Sequence, residues 1–117
     1  MPLILLAYLK EKKMQYIKNR EQFEELTLAG NVVVQFSATW CGPCKALSKT
    51  MENIVPEQPD VYFYKVDIDS IDRSVLQEYN IRSVPRLIMF VDGSEKAEII
   101  GSKSQVEVNE FINSNKD

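Results

Sequence analysis

The stretch "NVVVQFSATWCGPCK", residues 31–45, runs from a block of β-branched and aromatic residues into both cysteines of the chain. "NVVVQFS" (31–37) is apolar on both of its alternating faces, which suits a central strand covered on both sides. Only Gly42 and Pro43 separate Cys41 from Cys44, and Trp40 precedes them. From Cys44 onward, Leu47, Met51, Ile54 and Val55 recur at steps of three and four, the stripe of an amphipathic helix that Pro56 stops. The two thiols therefore sit where a buried strand turns into a helix.

Outward from this junction the elements alternate. "QYIK" (15–18) reads as a short edge strand. Asn19 stands where an N-cap belongs, with Gln22 three residues on and Gly30 at the far end, predicting a helix near 20–29. "VYFYKVDID" (61–69) is a second strand, and Ile71, Val75 and Tyr79 mark a short helix ending at Asn80, a residue tolerant of the left-handed conformation. "RLIMFV" (86–91), the turn "DG" (92–93) and "KAEIIG" (96–101) form a β-hairpin. Ser104 with Glu107 is a capping box for a last helix carrying Val108, Phe111 and Ile112. The order β-α-β-α-β-α-β-β-α predicts an α/β fold with a mixed central sheet of about five strands, parallel in its first half and antiparallel in its second, flanked by about four helices.

A chain of 117 residues makes one domain and buries roughly two thirds of the surface its unfolded form exposes. Charged residues at 26% are interspersed and sum to −3, so no basic stripe is present to neutralise a phosphate backbone, and nucleic acid is not an expected partner. The absence of His removes the usual general base and the commonest metal ligand together. Residues 1–13, "MPLILLAYLKEKK", place their charges after the apolar run, the reverse of a secretory signal, and the run is too short to span a membrane. They are expected to be a loosely ordered N-terminal extension to a domain at 14–117, with no membrane association, a cytoplasmic location and a monomeric state.

Two cysteines three apart admit three explanations. A structural bridge closing so small a loop contributes only about 2 kcal/mol in the chain-entropy model. A tetrahedral zinc site wants four N or S ligands, and two thiols without an imidazole supply half of one, so no metal is expected. A redox couple has a mechanism. At the start of a helix the Cys41 sulfur faces unpaired backbone N–H groups and the positive end of the helix dipole, which favour thiolate over thiol. A thiol of pKa ~8.5 is about 3% ionised at pH 7, and a shift of about 1.5 units makes it half ionised. Cys44, shielded at the helix–sheet junction, keeps the higher pKa, so Cys41 is the nucleophile and Cys44 the resolving thiol. Gly42 lets a partner's backbone approach, and Pro43 fits the first helical turn, where its missing N–H is no loss.

"VVVQFSATWCGPCK" together with "VDID", "YNIRSVP", the "DG" hairpin and Gly101 resembles the thioredoxin family throughout 14–117. The resemblance implies the thioredoxin fold and a protein disulfide reductase with no bound cofactor, working through a redox-active Cys41–Cys44 disulfide. It further implies electrons from NADPH through thioredoxin reductase, and disulfide-containing proteins as substrates. It places Trp40, Gly42, Pro43, Val84, Pro85 and Gly101 on the substrate-docking face, with Pro85 in the cis form against the disulfide. The rival reading is a non-catalytic binding module using the same face.

Three positions depart from the family's pattern. Gln35 stands where a buried Asp usually serves as proton acceptor for the resolving thiol, and an amide cannot take that proton. Water or another carboxylate must then serve, or the resolving step is slow. Lys65 occupies the place of the Lys that pairs with that Asp, and is expected to turn into solvent or to find Asp67 or Asp69. Arg86 follows Pro85 where Thr is usual; either its guanidinium reaches the active-site face, where it favours the Cys41 thiolate and acidic partners, or it is a surface Arg that makes no such contact.

Overall fold

The computed structural model describes residues 14–117, so the expectation for the 1–13 extension lies outside the described residues. Five strands, β1 (Gln15–Tyr16), β2 (Asn31–Ser37), β3 (Val61–Asp67), β4 (Arg86–Val91) and β5 (Ser94–Ile100), form one sheet in the order β1-β3-β2-β4-β5. The pairs β1·β3 and β3·β2 are parallel, while β2·β4 and β4·β5 are antiparallel. Among the described residues four helices flank it: α1 (Arg20–Thr27), α2 (Gly42–Ile54), α3 (Arg73–Glu78) and α4 (Gln105–Asn115). This is the mixed α/β arrangement that the pattern predicts.

All seven residues of β2 are buried, because the strand lies in the middle of the sheet between two helical layers. Its alternation divides the core. Val33 packs with Leu47, Met51, Leu87, Met89, Val108 and Ile112 under α2 and α4. Val32, Val34 and Phe36 pack with Phe23, Val66, Val75, Ile88 and Phe90 under α1 and α3. Phe23 anchors that second layer, meeting the rings of Tyr79 at 5.5 Å and Phe90 at 5.7 Å.

Helices α1 and α4 start at side-chain caps, whereas Asp72 before α3 makes no side-chain cap hydrogen bond. Asn19 Oδ1 accepts the Gln22 N–H at 2.8 Å, and Ser104 and Glu107 complete the capping box. The Asp92-Gly93 turn has positive φ at both residues, as a two-residue hairpin requires.

Several boundaries differ from the sequence pattern. Helix α1 stops at Thr27, two residues short of 29, because the Leu28 N–H reaches back to Glu25 O and Gly30 (φ +78) turns the chain into β2. Strand β3 ends at Asp67, whose carboxylate accepts the Asp69 N–H and the Ser70 hydroxyl and so turns the chain. Helix α2 gives way at Pro56 to a 3-10 turn over Val55–Glu57. Strand β5 starts at Ser94, since the two-residue turn lets the ladder close directly on Val91.

Tyr79, wedged between Phe23 and Phe90, has its phenol pushed up from 10.0 to about 12 by burial, then by its hydrogen bond to Glu78. A folded pKa above the unfolded one gives stability that is complete below the unfolded value and lost as pH rises toward the folded one. Resistance to urea should therefore fall from about pH 10 to about pH 12, and Tyr79→Phe should flatten that loss. An unchanged slope in the variant would show that other groups cause it.

Candidate active site

Cys41 is the N-cap of α2, with extended backbone (φ −93, ψ 112). Its Sγ accepts the Cys44 backbone N–H at 3.1 Å, so an amide of the first helical turn aims at the sulfur as the turn geometry requires. Cys41 and Cys44 are joined as a disulfide with Cα atoms 5.2 Å apart. Gly42 and Pro43 are exposed on the first turn, and a Cβ at Gly42 would meet nothing within 4 Å.

The residues expected on the docking face come together near Cys41 from three segments of the chain. The Val84–Pro85 peptide is cis, and the Val84 carbonyl oxygen lies 3.9 Å from Cys41 Sγ. Gly101 (φ +89) donates its N–H to Pro85 O at 2.9 Å, bringing the end of β5 beside that loop. Ala38, Ile68 and Val84 pack around the disulfide. Trp40 is 69% exposed, so its ring belongs to the surface and not to the core. Its indole N–H donates to Asp69 Oδ2 at 2.9 Å, which holds the ring beside Cys41. Asp69 carries no local signal of this role, because its partner lies 29 positions away in the chain.

Behind the disulfide, Gln35 is fully buried. Its Nε2 donates to Ser48 Oγ at 3.1 Å and to Cys44 O at 3.4 Å, while Oε1 has no partner among the described residues. Ser48 lies one helical turn beyond Cys44, a spacing that puts both on the same face of α2. Lys65 pairs in register with Gln35 and with Tyr16, so the three side chains leave one face of the sheet in a row. Neither Asp67 nor Asp69 takes the Lys65 charge: the first caps its own turn and the second holds Trp40. Lys65 is half-buried, and its ammonium instead sits 5.9 Å from the centre of the Tyr16 ring.

Arg86 corrects the sequence expectation most sharply. It is 8% exposed and does not face the disulfide. Strand alternation puts it on the side of Ile88 and Phe90, toward α1 and α3. There its Nε donates to Glu98 Oε2 at 2.9 Å, its Nη2 to the same oxygen, and its Nη1 to Asn80 O at 2.6 Å. A cation spent on these partners is not available to Cys41 or to an acidic substrate. No group of three or more potential metal ligands occurs among the described residues.

The thioredoxin family model matches residues 14–114. The chain belongs to the thioredoxin family. It is 37% identical over 100 residues to a thioredoxin of Chlamydia pneumoniae, covering 86% of this chain and 97% of that one. It is 39% identical over 92 residues to that of Chlamydia trachomatis, covering 79% and 89%. Among solved structures, Malassezia sympodialis thioredoxin superposes with a TM-score of 0.80 at 33% identity, covering 88% of this chain and 90% of the other. The oxidised mitochondrial thioredoxin 3 of Saccharomyces cerevisiae gives 0.79 at 27%, covering 86% and 94%. Family membership and the bonded CxxC pair make this thioredoxin-family chain a thiol–disulfide oxidoreductase.

Proposed function

We propose that the chain works as a reductant of protein disulfides, with Cys41 as the attacking and Cys44 as the resolving sulfur. The observation that carries this order is the amide aimed at Cys41 Sγ, which stabilises a thiolate there, with the Val84 carbonyl beside it. The Cys41 thiolate attacks one sulfur of a substrate disulfide; the electron pair of the broken bond leaves on the other sulfur, which takes a proton from water. Cys44 then loses its proton and attacks Cys41 Sγ, displacing the remaining substrate sulfur and closing the Cys41–Cys44 bond. Two electrons have passed to the substrate. Trp40, Gly42, Pro43, Val84, Pro85 and Gly101 receive an extended substrate segment around Cys41, its backbone alongside Val84.

A thioredoxin reductase returns the two electrons from NADPH in this reading, which also takes the protein as a monomer in a reducing, cytoplasmic setting. NADPH oxidation coupled to insulin reduction, with a thioredoxin reductase present, tests it directly. Turnover that depends on all three components is expected. Insulin reduction by dithiothreitol-reduced protein without any coupling to the reductase would keep the thiol chemistry and remove the electron source.

A further inference from the structure

Residues 81–85, between α3 and β4, bring the Val84 carbonyl oxygen to 3.9 Å from Cys41 Sγ, yet this segment has little backbone support of its own. None of the backbone N–H groups of Arg82, Ser83 and Val84 has a partner among the described residues. The segment is held at its ends instead. At the far end the Gly101 N–H donates to Pro85 O at 2.9 Å. At the near end Asn80 turns the chain in the left-handed region (φ 53), and its carbonyl oxygen accepts Arg86 Nη1 at 2.6 Å. Arg86 follows the segment and reaches back six positions to the residue before it, so its own side chain closes the loop.

The sheet aims that side chain. Arg86 lies opposite Ile100 and Ile88 opposite Glu98, which puts Glu98 on the diagonal from Arg86 and on the same face. Glu98 Oε2 accepts from Nε at 2.9 Å and from Nη2, and a planar guanidinium fixed at two nitrogens has its third fixed in direction. The third nitrogen points at Asn80 O, and burial of Arg86 keeps water from taking its place.

We propose that Arg86 is a positioning residue for protein substrates: through Asn80 O it sets the place of the Val84 backbone, while touching neither the substrate nor the sulfurs. The inference rests on the docking of an extended substrate segment beside Val84 proposed above. Backbone hydrogen bonds form over about 2.7–3.2 Å, so a loop released at one end presents Val84 in register only part of the time, and the substrate must order it on binding. The expected penalty is about tenfold in binding, equivalent to about 1.4 kcal/mol, the order of the entropy lost when one residue's backbone is fixed.

The test mixes the reduced chain with insulin over a range of concentrations and, separately, with the disulfide of thionitrobenzoate, a small disulfide with no peptide backbone to lie along Val84. Arg86→Lys keeps a cation beside Glu98 but offers a single nitrogen, which does not span Glu98 and Asn80 O together. In this variant the half-saturating insulin concentration should rise about tenfold, with the maximal rate and the small-disulfide rate within about twofold of the parent. Arg86→Leu should show the same split under conditions where far-ultraviolet circular dichroism finds it folded. Glu98→Gln leaves Arg86 an acceptor and its reach to Asn80 O, so its half-saturating concentration should rise no more than about threefold.

An Arg86→Lys chain whose half-saturating insulin concentration matches the parent overturns the proposal. Equal losses with insulin and with the small disulfide overturn it too, since they would place the effect on Cys41 or on the fold as a whole. A parent chain that reacts with the small disulfide but not with insulin is a different failure, which removes the docking beside Val84 itself.

Discussion

Cys41→Ser should reduce catalysed insulin reduction to the uncatalysed background, a loss of about a thousandfold or more of the kind seen when an enzyme's nucleophile is removed. A serine hydroxyl does not ionise near neutral pH, so the Cys44 N–H, 3.1 Å from the atom at this position, then has no thiolate to stabilise. The fold should not suffer. Serine is a preferred N-cap, and its oxygen can accept the same amide, so α2 keeps its start. Stability of the variant should match that of the reduced parent chain within about 0.5 kcal/mol by urea unfolding, the range of substitutions that disturb no packing or cap. Cys44→Ser should behave differently, attacking substrate normally and then stalling as a covalent adduct that dithiothreitol releases. Near-parental turnover in Cys41→Ser would show that the chain does not reduce disulfides through this sulfur.

Arg86→Leu should lower the unfolding free energy by about 2–3 kcal/mol, less than the 3–5 typical of breaking a fully buried ion pair. Glu98 decides the difference: its side chain is 35% exposed and can rehydrate, while that of Arg86 is 9% exposed. The rest of the loss comes from Asn80 O, which forfeits its 2.6 Å hydrogen bond to Nη1. Asn80 opens the loop that leads to Val84 and Pro85, so the guanidinium ties the sheet to the backbone beside Cys41. Glu98→Gln keeps an acceptor for Arg86 and should cost roughly half as much on the same reasoning. A urea midpoint for Arg86→Leu within error of the parent would mean that the pair adds nothing to stability.

Near-neighbour chemistry was legible in the chain. The all-apolar "NVVVQFS" becomes the fully buried central strand, the Ser104–Glu107 box caps the last helix, and Asp92-Gly93 makes the hairpin turn. Cys41 and Cys44 are legible for the same reason, since a three-residue spacing at a helix start places both sulfurs within one turn. Arg86 shows where this stops. A single Arg after Pro85 is equally compatible with facing a substrate or facing α1, and only the alternation of β4 within the assembled sheet chooses.

The amino-acid sequence by itself determined the order of elements, the caps and turns, and the identity and spacing of the two reactive sulfurs, because each depends on residues a few positions apart. Tertiary structure alone decided that Trp40 leans on Asp69, that Gln35 meets Ser48 with one oxygen unpartnered, that Lys65 opens onto a cleft behind Cys44, and that Arg86 is consumed by Glu98 and Asn80. Those pairings join residues 6 to 29 positions apart. Which polar group meets which is set by strand register and by the face each strand turns to each helix, and neither exists until the sheet has formed.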